Sequence, residues 1–221
     1  MSNDDINVEL IKDAKLLSQS DLINFKIIII GDSGVGKSSI LKRAVQDKFE
    51  GSYQATIGFE FLLLDYKVNE LKFKLQIWDT CGEEMYRSLV QGFYRNTSLA
   101  LVVYDVHDKK TYDSLDIWIR DIRKNTEQDL PIFVAGNKTD LEREVSFEEA
   151  NVFTLSNRVI YFTECSAKTG KNVNEIFVEA AKHLYKTYKE YKTQNSLPSS
   201  GRLKIENDTN KALDKKKKIC C

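Results

Sequence analysis

Proline is nearly missing, with two in 221 residues, and with 42 % hydrophobic and 30 % charged side chains the composition excludes a fibrous or disordered chain. Net charge is missing too. The 33 basic side chains balance 33 acidic ones, which argues against a nucleic-acid binder that relies on bulk positive charge. Cysteine is scarce: of the four present, Cys81 and Cys165 lie far apart and Cys220 and Cys221 are the last two residues. No disulfide framework or zinc-ligand spacing emerges, so a reducing compartment is expected. There is no run of about 18 apolar residues that would cross a membrane, and the opening "MSNDDINVELIKDAKLL" is too charged for a secretory signal. A membrane would have to be reached through something attached to the chain.

The charge that is present is unevenly spread. From Lys192 to Cys221 eight Lys or Arg stand against Glu206, Asp208 and Asp214, leaving a basic tail after an acidic body. Apolar runs punctuate that body. "FKIIII" (25–30) leads into "GDSGVGKS" and then a helical stretch from Ser39 to Lys48, a strand, loop and helix. "FEFLLLDYKV" and "LKFKLQIW" flank a turn at Asn69 and Glu70, with Leu71, Phe73, Leu75 and Ile77 on one buried face of a hairpin. "LALVVYDV" (99–106), "PIFVAGN" (131–137) and "VIYFTE" (159–164) then alternate with helices expected over Tyr112–Lys124, Ser146–Leu155 and Val173–Tyr191. Ser146 followed by Glu149 fits a capping box. The pattern predicts an α/β fold of the P-loop NTPase type: a mostly parallel sheet of about six strands, one antiparallel edge strand from the hairpin, and helices on both faces. Two readings stand for the extension 1–24, a short helix with Leu10, Ile11, Ala14 and Leu17 on one face and Asn7 as cap, or a loosely docked arm. The domain spans 25–191, and 192–221 is expected to be a flexible tail.

Gly31, Gly36, Lys37 and Ser38 complete the pattern G-x-x-x-x-G-K-[ST]. Glycines let the backbone turn its N–H groups onto phosphates, and the helix beginning near Lys37 adds orphan donors and a positive dipole end. Lys37 is expected to neutralise the β and γ phosphates and Ser38 to place a hydroxyl on Mg²⁺. A side chain at Gly34 would crowd the phosphate path. Ser33, Val35 and Ser39 complete the phosphate-side set.

"GNKTD" (136–140) decides the base. It follows an apolar strand, at a carboxyl end of the sheet where open α/β folds bind ligands. Asp140 can accept from the ring nitrogen and exocyclic amine of guanine, a donor pair that adenine does not offer on that edge; an unpaired buried carboxylate costs roughly 2–5 kcal/mol. Asn137 steadies the loop, and the stem of Lys138 covers a ring face. In "CSAKTG" (165–170), after the next strand, Ser166 belongs to the same set, the Ala167 N–H can meet the guanine carbonyl oxygen and Lys168 can pack on the ring.

These stretches, with "YQATIGFEF", "KLQIWDTCGEE", "VVYDV" and the closing "CC", resemble the Ras-like small GTPases and within them the Rab branch. The resemblance runs from about Asn24 to Tyr191. It implies that Thr56 gives its hydroxyl to Mg²⁺ and its N–H to the γ-phosphate, that Asp79 reaches the metal through water, that Gly82 offers its N–H to the γ-phosphate, and that Phe49 leans on the base. When the γ-phosphate leaves, both tethers are lost and the switches relax. Phe61, Trp78 and Phe93 match an aromatic triad read by effectors, although an aromatic on a sheet is as readily core. The implied partners are an exchange factor, a GTPase-activating protein, effectors, an escort protein with its prenyltransferase, and a GDP-dissociation inhibitor. Geranylgeranyl groups on Cys220 and Cys221 would hold a monomer on the cytoplasmic face of an organelle, with a cytosolic pool.

The departures fall in "DTCGEEM", where Cys81 replaces the usual alanine, Glu83 the usual glutamine and Met85 a common arginine. Only Glu83 touches chemistry. A carboxylate accepts from the attacking water but has no donor for the transferring phosphoryl group, so GTP hydrolysis is expected to be slow, with Lys37, Thr56, Gly82 and Glu83 as the catalytic set. An activating protein that supplies its own glutamine and arginine would bypass the defect. A GTP-binding scaffold that never hydrolyses shares every binding residue; a metabolic P-loop kinase would need an acceptor pocket and a lid that the sequence does not provide.

Overall fold

Four consecutive isoleucines, Ile27 to Ile30, are all buried. Successive strand residues point to opposite faces, so both faces of this strand must be covered. Ile27 and Ile29 belong to one core cluster and Ile28 and Ile30 to another. The structure, a computed structural model, describes residues 6–11, 22–51, 59–80, 92, 94–126 and 130–196.

In chain order the elements are β1 (Val8–Leu10), β2 (Leu22–Ile30), α1 (Lys37–Gln46), β3 (Phe59–Val68), β4 (Leu71–Thr80), β5 (Leu99–Asp105), α2 (Lys109–Asp113), α3 (Leu115–Asn125), β6 (Ile132–Asn137), α4 (Phe147–Ser156), β7 (Tyr161–Glu164) and α5 (Val173–Ser196). Among the described residues the sheet has seven strands in the order β1-β3-β4-β2-β5-β6-β7, not about six. Strands β4, β2, β5, β6 and β7 run parallel, and β3 is antiparallel to both its neighbours. The antiparallel strand expected at the edge is therefore covered by a further strand.

That further strand corrects the reading of the extension. Val8–Leu10 pairs with Val68–Tyr66, so Leu10, expected on a helical face with Ile11, Ala14 and Leu17, ends a strand instead; Ala14 and Leu17 lie outside the described residues. Asn7, expected as a helix cap, grips the hairpin turn instead: its N–H donates to Asn69 Oδ1 and its carbonyl accepts from the Asn69 N–H, each at 2.9 Å. Ile11 N–H closes the pair on Asp65 O at 2.8 Å. The unpaired edge of β3 satisfies the backbone of this short segment, which an isolated helix turn could not do.

The helices bury the stripes their spacing predicts. On α3, Leu115, Trp118, Ile119 and Ile122 are all buried, the i, i+3, i+4, i+7 pattern; each contributes about 1.5–3 kcal/mol of apolar burial. They pack with Ile28, Ile30 and Val102 on one face of the sheet. On the other face, Ile40 and Leu41 of α1 and Ile176, Phe177, Ala180 and Leu184 of α5 cover Ile27, Ile29 and Val103. Tyr185 of α5 donates to Glu70 in the hairpin turn at 3.1 Å. The single helix expected over Tyr112–Lys124 is instead α2 and α3, parted at Ser114, whose hydroxyl bonds Lys110 O at 3.1 Å, a local bond that competes with helix continuity. Asp108 caps α2 and Ser146 caps α4, each accepting a backbone N–H. Glu149, expected to close the capping box, has its carboxylate on Lys109.

The chain divides into two units, Met1–Lys186 and Thr187–Cys221. In the second, the described residues are the end of α5, which reaches Ser196 rather than stopping at Tyr191. There Thr193 Oγ1 donates to Lys189 O at 2.9 Å.

Candidate functional site

The loop after β2 starts at Gly31 with φ +140°, where an added Cβ would stand 2.2 Å from Val103 O. Only glycine allows β2 to turn that closely past β5. At Gly36, φ is +96° and an added Cβ would stand 2.3 Å from Asn137 Nδ2. Two of the motif's glycines are thus required by the packing of the protein itself. The Lys37 side chain folds back over the loop, where its ammonium donates to Gly31 O at 2.8 Å and Asp32 O at 2.7 Å while the residue is only 6 % exposed. Ser33 and Gly34 are exposed at the lip and Val35 is fully buried beneath it. Gly36 caps α1 without a side-chain hydrogen bond, and the positive end of a helix favours an anion there.

Beside Lys37, the Ser38 hydroxyl donates to Asp79 Oδ2. Asp79 lies near the carboxyl end of β4, is fully buried, and its Oδ1 has no hydrogen-bond partner. Burial pushes its carboxyl up to about 6, against the pull of the Ser38 hydrogen bond and the Lys37 charge. An orphaned buried carboxylate oxygen next to a hydroxyl is oxygen-donor chemistry that fits Mg²⁺. Among the described residues no group of three or more His, Cys, Asp or Glu could hold a metal, so the remaining ligands would come from water and phosphate, as Mg²⁺ prefers.

The base side is built from the ends of β6 and β7. Asn137 Nδ2 donates to Val35 O at 2.9 Å, while its Oδ1 accepts from the Ala167 N–H at 3.1 Å. One amide therefore ties the phosphate loop to both later loops, a larger role than steadying its own. Asp140 Oδ1 accepts from the Ser166 hydroxyl at 2.6 Å and its Oδ2 lies 3.5 Å from Lys168 Nζ. Burial alone would raise this carboxyl, but the Ser166 hydrogen bond, its own backbone N–H and the Lys168 charge outweigh it and hold it below the ordinary carboxylate value. The carboxylate is thus kept charged and aimed. Lys138, expected to cover a ring face, has its ammonium 2.5 Å from the buried Asp105 at the end of β5, so only its stem is left to line the cavity. Cys165 is buried, its thiol pushed up to about 12 by that burial, which suits a packing residue and not a nucleophile.

A cavity of about 450 Å³ joins the two sides. Ser33, Gly34, Gly36, Lys37, Ser38 and Ser39 line one end and Asn137, Lys138, Asp140, Ala167 and Lys168 the other, with Phe49 on the wall and 39 % exposed. Sequence reasoning missed the supports. Arg43 on α1 bonds the carbonyls of Ala167 and Lys168. Trp118 on α3 donates its indole N–H to Asp32 Oδ1 at 2.8 Å, anchoring the phosphate loop from outside. Neither belongs to a local motif, so no spacing signal could have found them.

On β3 and β4, Phe61 and Trp78 stand opposite each other in the ladder, stacked with ring centroids 5.4 Å apart, and Phe61 is 51 % exposed. Phe61 is thus a surface residue and not core. Thr56, Gly82, Glu83 and Phe93, with Cys81, Met85 and the terminal Cys220 and Cys221, lie outside the described residues.

A family model described as "Ras family" matches residues 26–186. The chain is also 36 % identical over 205 residues to the Ras-related protein Rab-5A of Dictyostelium discoideum, covering 92 % of this chain and 98 % of that relative.

Proposed function

We propose, since this chain belongs to the Ras family and within it to the Rab proteins, that it is a membrane-anchored switch of intracellular vesicle traffic. At the level of the family it is a GTP-binding regulatory protein. On our reading it recruits effectors when GTP-bound and relaxes when water has removed the γ-phosphate. The observation that carries this reading is one continuous cavity with an ammonium and helix N-terminus at one end and, at the other, the Asp140 carboxylate held by Ser166 and Lys168. A triphosphate fits the first end and a purine with two adjacent donors the second.

Ser38 and Thr56 would hold Mg²⁺ directly and Asp79 through water; when bound, the ion offsets the charge that develops on the phosphate oxygens. Lys37 bonds the phosphates, Gly82 orients the γ-phosphate with its N–H, and Glu83 holds the attacking water. Phe61 and Trp78 offer effectors a flat aromatic surface, joined by Phe93 on the resemblance. In competition titrations GTP and GDP displace a bound fluorescent guanine nucleotide in the presence of Mg²⁺, whereas ATP does so only at concentrations at least about 100-fold higher. Comparable displacement by ATP would overturn the reading.

Anchoring rests on Cys220 and Cys221. Two lipid chains hold where one is marginal, and Lys215 to Lys218 add roughly 1 kcal/mol each at an anionic leaflet. Among the described residues no helix is long and apolar enough to cross a membrane. Intact-mass measurement on protein from the membrane fraction of its own cell is expected to show two geranylgeranyl additions; unmodified thiols throughout that fraction would sink the lipid claim. The exchange factor, activating protein, effectors, escort protein with prenyltransferase and GDP-dissociation inhibitor belong to the same proposal.

A further inference from the structure

We infer that Arg43 is a positioning residue for base recognition, acting through the backbone of the loop that follows β7. Its side chain is 16 % exposed. Nε donates to Ala167 O at 2.9 Å and Nη2 to Lys168 O at 2.8 Å, while Nη1 takes Asp47 O and Asp47 Oδ1, both at 3.0 Å. All three guanidinium nitrogens are thus committed, in the planar fork geometry that arginine offers and lysine does not. The same helix begins at Lys37 and Ser38, so α1 carries phosphate groups at its start and base-loop supports near its end.

The consequence follows from peptide geometry. In a trans peptide the C=O and the following N–H point in opposite directions, and the described residues include no cis bond. Pinning Ala167 O on Arg43 therefore turns the Lys168 N–H away from α1. Pinning Lys168 O orients the next peptide, whose Thr169 N–H donates to Ser166 Oγ at 3.1 Å, and that same hydroxyl holds Asp140. Arg43 thus fixes the peptides around Ala167 and Lys168, both of which line the cavity; the Ala167 N–H rests on Asn137 Oδ1 at 3.1 Å, so on the guanine reading the carbonyl oxygen of the ring would meet the Lys168 N–H or share the Ala167 N–H with Asn137. Without it the loop would have to be ordered by the ligand, at a cost in affinity.

This inference rests on the guanine reading of the cavity. The test uses the full chain with Mg²⁺ and follows release of a fluorescent GDP chased by unlabelled GDP, for wild type, Arg43→Gln, Arg43→Lys and Asp47→Ala. Arg43→Gln is expected to release GDP about tenfold faster, Arg43→Lys to recover part of that loss, and Asp47→Ala to match wild type because its contacts do not touch the base loop. The decisive arm repeats the measurement with 6-thioguanosine diphosphate, which keeps the N1–H and exocyclic amine that Asp140 would read but carries a weakly accepting sulfur in place of the oxygen at position 6. For that nucleotide Arg43→Gln changes release by less than about twofold. Equal acceleration of both nucleotides would mean that Arg43 serves general stability, and would overturn the inference while leaving guanine binding intact. A wild type that does not prefer GDP to ADP would defeat the guanine reading itself. If Arg43→Gln fails to fold, Arg43→Lys decides alone: selective weakening of GDP supports positioning, and equal or no weakening refutes it.

Discussion

Asp140→Asn weakens GDP binding by at least about 100-fold and makes xanthosine diphosphate the better ligand. On the guanine reading of the cavity, the carboxylate would accept from two donors on the guanine edge, and hydrogen bonds to a charged group contribute about 1.5–3 kcal/mol each. An amide keeps one acceptor and presents an NH₂ where the guanine amine lies, so donor meets donor. Xanthine has a carbonyl at that position, and the pairing is restored. Nothing else needs to move: the Ser166 hydroxyl that donates to Asp140 Oδ1 at 2.6 Å can donate to the amide oxygen, and the ammonium 3.5 Å from Oδ2 is held on an exposed side chain free to turn away. Competition of GDP and xanthosine diphosphate against one fluorescent nucleotide measures the exchange of preference. An unchanged preference would remove Asp140 from the site.

Single-turnover hydrolysis is expected to accelerate by about tenfold or more in Glu83→Gln. On the reading that residue 83 faces the γ-phosphate, the glutamine would supply an amide donor toward the transferring phosphoryl group, which the native carboxylate lacks, and would remove a negative charge from beside oxygens that are already anionic. Extra basicity at position 83 is little use to a reaction in which water gives up its proton late. Glu83→Ala separates the two effects, because it removes the charge without adding a donor; its rate should fall below that of Glu83→Gln. If Glu83→Gln is no faster than wild type, this residue does not limit the chemistry. A wild type with no turnover over many hours, alone or in cell extract, would instead favour a GTP-binding scaffold held in one state.

The residues that line the two ends of the cavity are legible because each group is encoded locally. Lys37 and Ser38 sit at fixed spacing from Gly31, and Asp140 follows its strand by three residues. The alternation of apolar runs with helical stretches was enough for a parallel sheet with two covered faces. What escaped was nonlocal. Arg43 meets a carbonyl 124 residues away and Trp118 a carboxylate 86 residues away, and neither contact leaves a periodicity. Leu10 and Ile11 share a helical face with Ala14 and Leu17 in sequence, one of two readings of the extension, but Leu10 ends a strand because the free edge of β3 satisfies its backbone, a pairing that no local period encodes. α2 and α3 part at Ser114, whose hydroxyl bonds Lys110 O, a side-chain bond that composition cannot reveal. The stem of Lys138 lines the cavity as its motif predicts, while the partner of its ammonium, Asp105 at the end of β5, is nonlocal and leaves no signal in the motif.

The four isoleucines of β2 carry a further consequence. Strand alignment is ordinarily policed by hydrophobic pattern, since sliding by one residue sends the apolar set into water. In β2 that safeguard is weak, because Ile27 to Ile30 present the same side chain to both faces. A one-step slip against β5 would exchange isoleucine for isoleucine at almost every buried position. It would also carry Ile30 or Asp32 into the place of Gly31, where any Cβ collides with Val103 O. The glycine that opens the phosphate loop is therefore also the stop that sets the strand in frame, so the nascent chain cannot align its central strand wrongly without obstructing the turn that will later meet the nucleotide.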